Sequence, residues 1–365
     1  MSLIICNKCK LVQLDRNFNS KKMYGFNYGY RTSLNKSMHD HIVQKKNYLE
    51  KFVTLFDNDC IIDIGSNDGS FLNQFESKKF NLIGIDPTIL KFKKYYNNGI
   101  SKIIDFFPTN KIKKSNAKII TSFAMFYDLK DPVDFSKSIF KQLADDGVWH
   151  FEQSYLFEML NKKSYDTICH EHLEYYSFTS IYYIMNTVGF KIIGIDQNNI
   201  NGGSISITVA KKKSKHKECK AKVIRYLKKE KINKLNTVAY LKKFESSIKK
   251  HKSELVSLLT NLRKKGKKII GYGASTKGNV ILQYCKIGSP LVSKIYDINP
   301  DKNKKFTPGT NIQILSKTEI KKIEFDYFLV FPWHFKNFIL KKEKKDIFKN
   351  KKFIFPLPKI EIVNL

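Results

Sequence analysis

The chain of 365 residues is longer than one typical domain, so we expect two domains and a smaller additional segment. Its formal net charge is +33, but the lysines are spread from Lys8 to Lys359, which favours a solvated lysine-rich surface over a nucleic-acid-binding surface. We therefore expect no nucleic-acid partner. No apolar run approaches about 18 residues and no secretory pattern is seen, so we also expect no membrane partner and a soluble cytoplasmic protein.

The predicted elements begin after a segment, to about residue 45, that is rich in aromatic and turn-forming residues. DCIIDIGSNDGSFLNQF predicts a buried strand, a glycine-containing turn and a helix, and NLIGIDP predicts a second strand that ends in an acid. The apolar runs SKIIDFF, AKIITSFAMF and DGVWHFEQS alternate with helical segments, and a strand pair over 189–212 follows. This alternation is typical of a doubly wound parallel sheet.

The second half of the chain changes character and then repeats the alternation. Residues 211–265 combine many charges with apolar residues at helical spacing, which predicts one or two amphipathic helices that connect two bodies. After them, KKIIGYGASTKGNVILQYC predicts another strand, glycine-rich turn and helix, and two more strand candidates follow. We therefore predict a second, smaller α/β domain.

The IDIGSNDG segment carries the clearest functional signal. Gly65 and Gly69 leave room for a ligand, and Asp86 ends the next strand about 20 residues after Gly65, the spacing of an acid that binds ribose hydroxyls. A dinucleotide site needs open amides for a pyrophosphate, whereas this loop holds Asn67 and Asp68. Asp68 would repel a phosphate and accept a hydrogen bond from an ammonium. S-adenosylmethionine has an ammonium and no phosphate, so the loop predicts this cofactor.

Further cofactor candidates lie at the ends of the neighbouring strands. Asp105 can take the adenine amino group while Phe106 packs on the purine face. The methionine side would be lined by residues after the fourth strand. The remaining candidates of the cofactor site are Asp63, Ala124 and Phe126.

The segment YDTICHEHLEYYS brings together Cys169, His170, Glu171 and His172. Such groups indicate either a proton-transfer site or a metal site, and neighbouring residues of a regular element cannot all turn toward one metal, which favours proton transfer. Surface histidines without a function are the third interpretation. The six cysteines show no disulfide framework, and Cys6 and Cys9 form the one close pair.

The succession of motifs resembles the nucleotide-sugar C-methyltransferases, which depend on S-adenosylmethionine. The matching stretches run along the whole chain: CNKCKLVQL, YGYRTSLNKSM, IDIGSNDGSF, CHEHLEYYS, NNINGGSISI, IGYGASTKGN and YDINPDK. The resemblance implies an α/β chain with a class I methyltransferase doubly wound sheet, a smaller Rossmann-like domain and a short N-terminal arm. The implied domains are the arm, a remnant of a zinc module, at 1–45, the methyltransferase domain at 46–212, a helical connector at 213–265 and the substrate-binding domain at 266–365.

The resemblance also implies roles for single residues. His172 corresponds to the proposed general base with Glu171 beside it, and Tyr30 falls on an arm aromatic that reaches the active site. The family's zinc module uses two Cys-x-x-Cys pairs, and Cys6 and Cys9 form only one, so we expect no stable zinc site. Cys169 and His170 stand where the family has Tyr and Asp, which leaves the methylated sugar carbon open.

The expected reaction is C-methylation of a nucleotide-linked keto-deoxysugar by a monomer or weak dimer. His172 would remove the proton next to the ketone, and His170 or a backbone amide would stabilise the enolate oxygen. Tyr30, Phe126 and Tyr175 would border the cationic sulfur. Further substrate-binding candidates are Cys169, Asn201, Gly202, Gly203, Gly273, Ser275, Thr276 and Lys277, of which the last four suit a diphosphate.

Three alternatives remain open at this point. A sugar O-methyltransferase would need a base for a hydroxyl group instead of a carbon-bound proton. An RNA methyltransferase would fit the positive charge, but it would need basic residues concentrated around an open cofactor cleft. A non-catalytic scaffold would keep the fold alone, and the intact Gly65, Asp86, Glu171 and His172 argue against it. The turn at Asn201–Gly203 is equally compatible with a plain hairpin.

Overall fold

The chain folds into two compact units. The computed structural model describes residues 1–25, 28–34, 36–344, 348 and 350–364. The N-terminal unit comprises residues 2–156 and 170–236, and the C-terminal unit comprises residues 157–169 and 237–365, together with Met1. The segment 157–169 lies inside the predicted methyltransferase domain but clusters with the C-terminal unit.

The bounds of the regular elements in the described residues are as follows. The strands are β1 (Leu3–Ile5), β2 (Val12–Leu14), β3 (Cys60–Ile64), β4 (Asn81–Ile85), β5 (Ser101–Ile103), β6 (Ala117–Phe123), β7 (Leu143–Ser154), β8 (Glu174–Tyr175), β9 (Phe190–Asn198), β10 (Ser204–Lys211), β11 (Ile269–Tyr272), β12 (Ile295–Tyr296), β13 (Ile314–Leu315), β14 (Tyr327–Val330), β15 (Lys352–Phe355) and β16 (Glu361–Asn364). The helices are α1 (Ser20–Met23), α2 (Lys36–Leu49), α3 (Ile89–Phe92), α4 (Pro132–Gln142), α5 (Leu156–Asn161), α6 (Phe178–Val188), α7 (Lys220–Ile232), α8 (Val238–Lys264), α9 (Thr276–Cys285), α10 (Lys317–Ile320) and α11 (Lys336–Glu343).

A seven-stranded sheet forms the centre of the N-terminal unit, in the order β5-β4-β3-β6-β7-β10-β9. The strands from β5 to β7 pair in parallel, whereas β10 pairs antiparallel with both β7 and β9. Counted within this sheet the order is 3-2-1-4-5-7-6, which is the class I methyltransferase topology predicted from the sequence. The order reverses between β3 and β6, where ligands bind in doubly wound sheets.

Strand β7 shows how the sequence covers both faces of this sheet. Because side chains alternate along a strand, Trp149 and Phe151 point to one face and Val148, His150 and Glu152 to the other. Trp149 and Phe151 join an aromatic core on the first face. Val148 packs in an apolar cluster with residues of α2, which covers the second face. Both faces are therefore buried, as parallel sheets require.

A small sheet of β1, β2 and β8 ties the N-terminal residues to the segment around residue 174. Val12 pairs with Tyr175 and Gln13 with Glu174 in antiparallel register. The amide of Leu14 donates to the carbonyl oxygen of Leu173 at 2.8 Å. The backbone that follows His172 is therefore held in a sheet.

The C-terminal unit is built on a second sheet in the order β13-β12-β11-β14-β15-β16. All neighbouring strands pair in parallel except β15 and β16. The order reverses between β11 and β14, so this unit has a switch point of its own. Helices α7 and α8, which cover the predicted connector, belong to the N-terminal and the C-terminal unit respectively.

Most predicted strands are confirmed, but one predicted helix is wrong. The glycine-containing turn after β3 leads only into a short 3-10 helix at Leu72–Gln74. Nonlocal hydrogen bonds replace helical ones here, since the Asn73 side chain bonds the carbonyl oxygen of Tyr95 at 2.8 Å and the amide of Asn97 at 2.9 Å. Helix α2 and strands β1, β2 and β8 were not predicted.

Candidate active site

The loop after β3 has the backbone of a ligand-binding turn. Gly65, Asn67 and Gly69 have φ angles of 74°, 48° and 76°, in the left-handed region that favours glycine and asparagine. A Cβ atom at Gly69 would lie 2.8 Å from the ring of Tyr96, so a side chain would also clash there. Because no regular helix follows, the loop lacks the array of helix N-terminal amides that binds a pyrophosphate.

Three carboxyl groups surround this loop. Asp63 lies in β3, receives a hydrogen bond from the Thr121 hydroxyl at 2.7 Å and is 3% exposed. Burial, together with the charges of the neighbouring Asp86 and Asp68, raises its pKa to about 8. Asp86 accepts hydrogen bonds from the amides of Asn67 at 2.9 Å and Thr88 at 2.6 Å. The acids at this strand edge would disfavour a phosphate and favour a cation, which would also stabilise the charged form of Asp63.

The side chains of Asn67 and Asp68 bond to residues 28–34, the part of the predicted N-terminal segment that we name the arm. Asn67 accepts from the amide of Thr32 at 3.0 Å and donates to the carbonyl oxygen of Tyr30 at 3.2 Å. Asp68 accepts from the amide of Ser33 at 2.9 Å and from the hydroxyl of Ser70 at 2.6 Å. The sequence predicted that Asp68 binds the ammonium of the cofactor. In the structure its carboxylate oxygens instead accept hydrogen bonds from Ser33 of the arm and Ser70 of the loop.

Asp105 follows β5, as the sequence predicts for an adenine ligand. Its carboxylate accepts from the Thr109 hydroxyl at 2.8 Å and from the amide of Phe106 at 2.9 Å. Hydrogen bonds from Thr109 and from Lys111, 3.0 Å away, lower its pKa. Asp105 is therefore held as a carboxylate at the third strand of the edge that carries Gly65 and Asp86.

The loop after β6 begins at Ala124, whose φ angle is 52°. Its amide donates to the carbonyl oxygen of Glu152 at 2.7 Å, which turns the chain toward the glycine loop. The side chain of the next residue, Met125, faces Gly65, where a Cβ atom would lie 2.9 Å from Met125 Cγ.

The prediction that Phe126 binds the cofactor and borders its sulfur is wrong. Phe126 is 0% exposed and lies in the aromatic core. Its ring stacks on Tyr176 at 5.0 Å and packs edge-on against Trp149 at 5.6 Å. An apolar residue beside a strand end is as well suited to the core as to a ligand, and the sequence pattern could not separate the two positions.

His172 and Glu171 lie in the N-terminal unit on the chain that enters β8. The imidazole of His172 is half-buried and meets the Tyr127 ring edge-on, with 4.4 Å between the ring centroids. The hydroxyl of Tyr175 donates to the carbonyl oxygen of His172 at 3.0 Å. Tyr175, which was predicted to border the sulfur, is 4% exposed. Its hydroxyl instead fixes the backbone of the acceptor segment, residues 165–177.

The other two polar residues of the acceptor segment, His170 and Cys169, differ in exposure. His170 is exposed and packs its ring edge-on against Phe18 at 4.4 Å. This open position gives no support to its predicted role at the enolate oxygen. Cys169 is buried and belongs to the C-terminal unit.

Three residues missed by sequence reasoning join Glu171. Burial raises the pKa of the Tyr24 hydroxyl, which also bonds Asp128 and lies near Glu171. Burial likewise raises the pKa of Tyr28, and the charges of Glu171, Asp128 and Asp86 add to this effect. The rings of Tyr24 and Tyr28 are 5.2 Å apart. The only signal in the sequence was the density of tyrosines in YGFNYGY.

Glu152 lies under the loop after β6 and receives three side chains. His41 Nε2 is 2.6 Å and Lys45 Nζ 2.8 Å from its carboxylate, and Asn198 Nδ2 donates at 2.9 Å. Burial alone would raise its pKa, but the hydrogen bond from His41 and the charge of Lys45 lower it to about 2. Glu152 therefore connects its own strand β7 to helix α2 and to Asn198 at the end of β9.

The turn after β9 contains the predicted substrate residues at Asn201–Gly203. All three have positive φ angles, at 54°, 95° and 135°. The carbonyl oxygen of Gly203 accepts from the amide of Tyr155 at 3.1 Å. The turn is tightly built between β9 and β10, as the hairpin interpretation requires.

The glycine-rich loop of the C-terminal unit repeats one feature of the first loop. The amide of Ala274 donates at 2.7 Å to Asp297, the acid after β12, as Asn67 donates to Asp86. Ser275 caps α9 by accepting from the amide of Gly278 at 3.0 Å. The φ angle of Gly273 is 84°, and a Cβ atom there would lie 2.8 Å from Pro332.

Thr276 and Lys277 occupy the first turn of α9, beside the switch point between β11 and β14. Burial lowers the pKa of Lys277, while Asp166 and Cys169 counteract this effect. Asp166 also accepts from the indole nitrogen of Trp333 at 2.8 Å. The predicted diphosphate residues are therefore brought together within this unit.

Cys6 and Cys9 flank the turn between β1 and β2. Within residues 1–25, 28–34, 36–344, 348 and 350–364, neither belongs to a group of three or more possible metal ligands. Hydrogen bonds from the backbone at Cys9 and Lys8 lower the pKa of the Cys6 thiol. In the same part of the chain, no helix is both long and apolar enough to cross a membrane.

The doubly wound sheet and the acid-lined loop at its switch point define the class of protein. An acid-rich edge with no phosphate-binding helix fits a cofactor that carries an ammonium and a sulfonium. The chain is an S-adenosylmethionine-dependent methyltransferase, and two family models agree with this assignment. A methyltransferase domain matches residues 37–195, and a C-methyltransferase C-terminal domain matches residues 199–358.

The chain is also similar to individual proteins. The C-methyltransferase NovU of Streptomyces niveus is 24% identical over 369 residues, which cover 100% of this chain and 87% of NovU. Among solved structures, an S-adenosylmethionine-dependent methyltransferase from Mesorhizobium loti is 10% identical, with a TM-score of 0.39 over 47% of this chain and 99% of that one. One from Aquifex aeolicus is 13% identical, with a TM-score of 0.39 over 53% of this chain and 98% of that one.

Proposed function

We propose that the enzyme transfers a methyl group to a carbon atom next to the ketone of a nucleotide-linked keto-deoxysugar, in the synthesis of a surface polysaccharide or another glycan. The proposal rests mainly on one observation, the position of Glu171 and His172 in the same unit as the acid-lined loop. The similarity to NovU and to a C-methyltransferase C-terminal domain supports carbon as the acceptor atom. The motifs shared with nucleotide-sugar C-methyltransferases support the sugar.

The residues at the strand edge would hold the cofactor. When bound there, S-adenosylmethionine supplies an electrophilic methyl group on a positively charged sulfur. Asp86 and Asp105 would take the ribose and the adenine, since each acid follows the strand that faces that part of a nucleoside in this fold. Asp63 would pair with the ammonium, because a bound cation favours the charged form of a carboxyl whose pKa burial has raised.

His172 would remove a proton from the carbon next to the ketone. Such a carbon is a poor nucleophile until this proton leaves, so a positioned base contributes directly to the rate. Tyr127 limits the rotation of the imidazole, and the bond from Tyr175 fixes the backbone behind it. Glu171, the preceding residue, would lie beside the imidazolium that forms when the proton is taken.

Lys277 and the amides at the start of α9 would bind the diphosphate of the nucleotide sugar. Gly273 and Ser275 let the backbone approach a ligand, and the helix N-terminus favours negative charge. Lys277 has a cationic side chain among buried groups, so an anionic ligand would restore its ordinary pKa. Replacement of Lys277 with Met should weaken substrate binding and leave cofactor binding intact.

The test is incubation of the enzyme with a methyl-labelled donor and a panel of nucleotide 4-keto-sugars. Mass spectrometry identifies the methylated sugar, and carbon NMR of the product distinguishes a C-methyl from an O-methyl group. We expect a C-methyl product from at least one sugar. An O-methyl product would refute carbon transfer, and labelling of added RNA with no labelled sugar would refute a sugar substrate.

A further inference from the structure

Asn67 and Asp68, in the loop after β3, hold the N-terminal arm by side-chain bonds to its backbone. Asn67 bonds the carbonyl oxygen of Tyr30 and the amide of Thr32, and also lies 3.3 Å from the Thr32 hydroxyl. Asp68 bonds the amide of Ser33 at 2.9 Å. The amides of Thr32 and Ser33 lie in the first turn of a 3-10 helix at Thr32–Leu34, where amides have no partner within the helix.

The arm and the helix that follows it make further contacts within the same unit. The Arg31 guanidinium lies over the Tyr95 ring at 4.3 Å, next to the bonds from the loop. Beyond the arm, α2 is held on the sheet by His41 and Lys45, which meet the buried Glu152. Movement of residues 30–33 away from the loop would therefore break the Arg31–Tyr95 contact and bend the chain that leads into α2.

The arm also carries groups toward the acceptor site. Tyr28 belongs to the arm, and its hydroxyl lies in the field of Glu171, Asp128 and Asp86. Lys91, in the short helix α3 that follows β4, donates to the carbonyl oxygen of Tyr28 at 3.2 Å. The position of Tyr28 beside the acceptor residues thus depends on how the arm sits on the loop.

We propose that Asn67 and Asp68 are positioning residues that latch the arm onto the cofactor loop, so that cofactor binding and arm closure stabilise each other. A cofactor that orders this loop must strengthen the latch, since a coupling between two binding events is reciprocal. The inference rests on the proposed placement of the cofactor at this loop, but not on the identity of the acceptor. It gives Asp68 a holding role in place of direct contact with the cofactor.

Trypsin cleavage after Arg31, followed by mass spectrometry, measures the opening of the arm. S-adenosylhomocysteine should slow this cleavage at least about five-fold in the wild-type enzyme. Asn67→Gly removes the latch bonds and suits the positive φ angle, so cleavage should become about ten-fold faster and lose its protection by the cofactor product. Asn73→Gly is the matched control, because Asn73 makes similar bonds away from the arm.

Two variants of Asp68 separate the latch from direct cofactor binding. Asp68→Asn keeps an oxygen for the Ser33 amide, so cleavage should stay slow and affinity for S-adenosylhomocysteine should stay within about three-fold. Asp68→Ala should accelerate cleavage like Asn67→Gly. Unchanged cleavage in Asn67→Gly, protection that persists in it, or a ten-fold loss of affinity in Asp68→Asn with unchanged cleavage would each overturn the proposal. A failure to methylate any sugar would leave these outcomes unaffected.

Discussion

Replacement of Glu152 with Gln tests how strongly the buried charges under the active-site loop stabilise the N-terminal unit. Glu152 is 5% exposed and meets Lys45, which is 4% exposed, and His41. The pKa of Glu152 falls from its usual 4.5 to about 2, and each pKa unit corresponds to about 1.4 kcal/mol. The charged form is therefore favoured by about 3 kcal/mol, similar to the cost of breaking a buried ion pair.

Urea unfolding followed by tryptophan fluorescence measures this loss. The chain has two tryptophans, so a Trp333→Phe background leaves Trp149 as the reporter of the N-terminal unit. In that background, Glu152→Gln should lower the free energy of unfolding by about 3 kcal/mol. Glu76→Gln is the control, since Glu76 pairs with Lys79 at 3.1 Å on the surface, with 68% of its side chain exposed, and should show no change.

The pH dependence of Glu152 gives the same reasoning a second check. Its folded-state pKa is depressed, so its contribution is present above pH 4.5 and is lost as the pH falls toward about 2. In the acid range the free energy of unfolding should therefore fall more in the wild type than in Glu152→Gln, because only the wild type has this charge to lose. If the free energy of unfolding falls by less than about 1 kcal/mol in Glu152→Gln, or by the same amount as in Glu76→Gln, the buried charge of Glu152 does not stabilise the unit as we expect.

Two further predictions concern single residues of the same unit. Burial lowers the pKa of His150 from 6.5 to about 3, so the unfolded chain takes up this proton at a higher pH than the folded chain. The free energy of unfolding should therefore fall by up to about 1.4 kcal/mol per pH unit as the pH drops below 6.5. His150→Asn should flatten this dependence between pH 7 and 5 in urea unfolding, and His39→Asn, at a half-exposed position, should not. Gly69→Ala should weaken S-adenosylmethionine binding at least about ten-fold in calorimetry, because of the positive φ angle and the contact with Tyr96. Gly99→Ala, also at a positive φ angle but outside the loop, should bind normally, and equal losses in both variants would point to general destabilisation.

Local patterns in the sequence were sufficient to predict most strands of the two larger sheets and both glycine loops. Strands β3, β4 and β6 follow from short apolar runs, because strands buried on both faces consist mostly of apolar residues. The acid at the end of the second strand follows from spacing in the same way. The helix expected after Gly69 failed because its apolar spacing serves a 3-10 turn that is held by Asn73 to distant backbone.

The site itself depended on contacts between residues far apart in the chain. His41 meets Glu152 across 111 positions, and Thr32 meets Asn67 across 35. No periodicity reports such pairs, so the bonds between the arm and the loop, the buried ion cluster and the Tyr24–Asp128 pair could not be predicted. Phe126 shows the opposite limit, since a residue chosen correctly for its position beside the loop points into the core.

Exchange of a carbon-bound proton tests the central claim most directly, namely that His172 removes a proton from the acceptor carbon. In heavy water, with S-adenosylhomocysteine bound so that no methyl transfer occurs, NMR can follow the proton next to the ketone of the accepted sugar. The wild-type enzyme should exchange this proton much faster than buffer alone, and His172→Asn should bind S-adenosylhomocysteine normally but exchange no faster than buffer. Exchange that persists in His172→Asn would contradict the assignment of the base, and a wild-type enzyme that methylates the sugar without any exchange of this proton would contradict the mechanism.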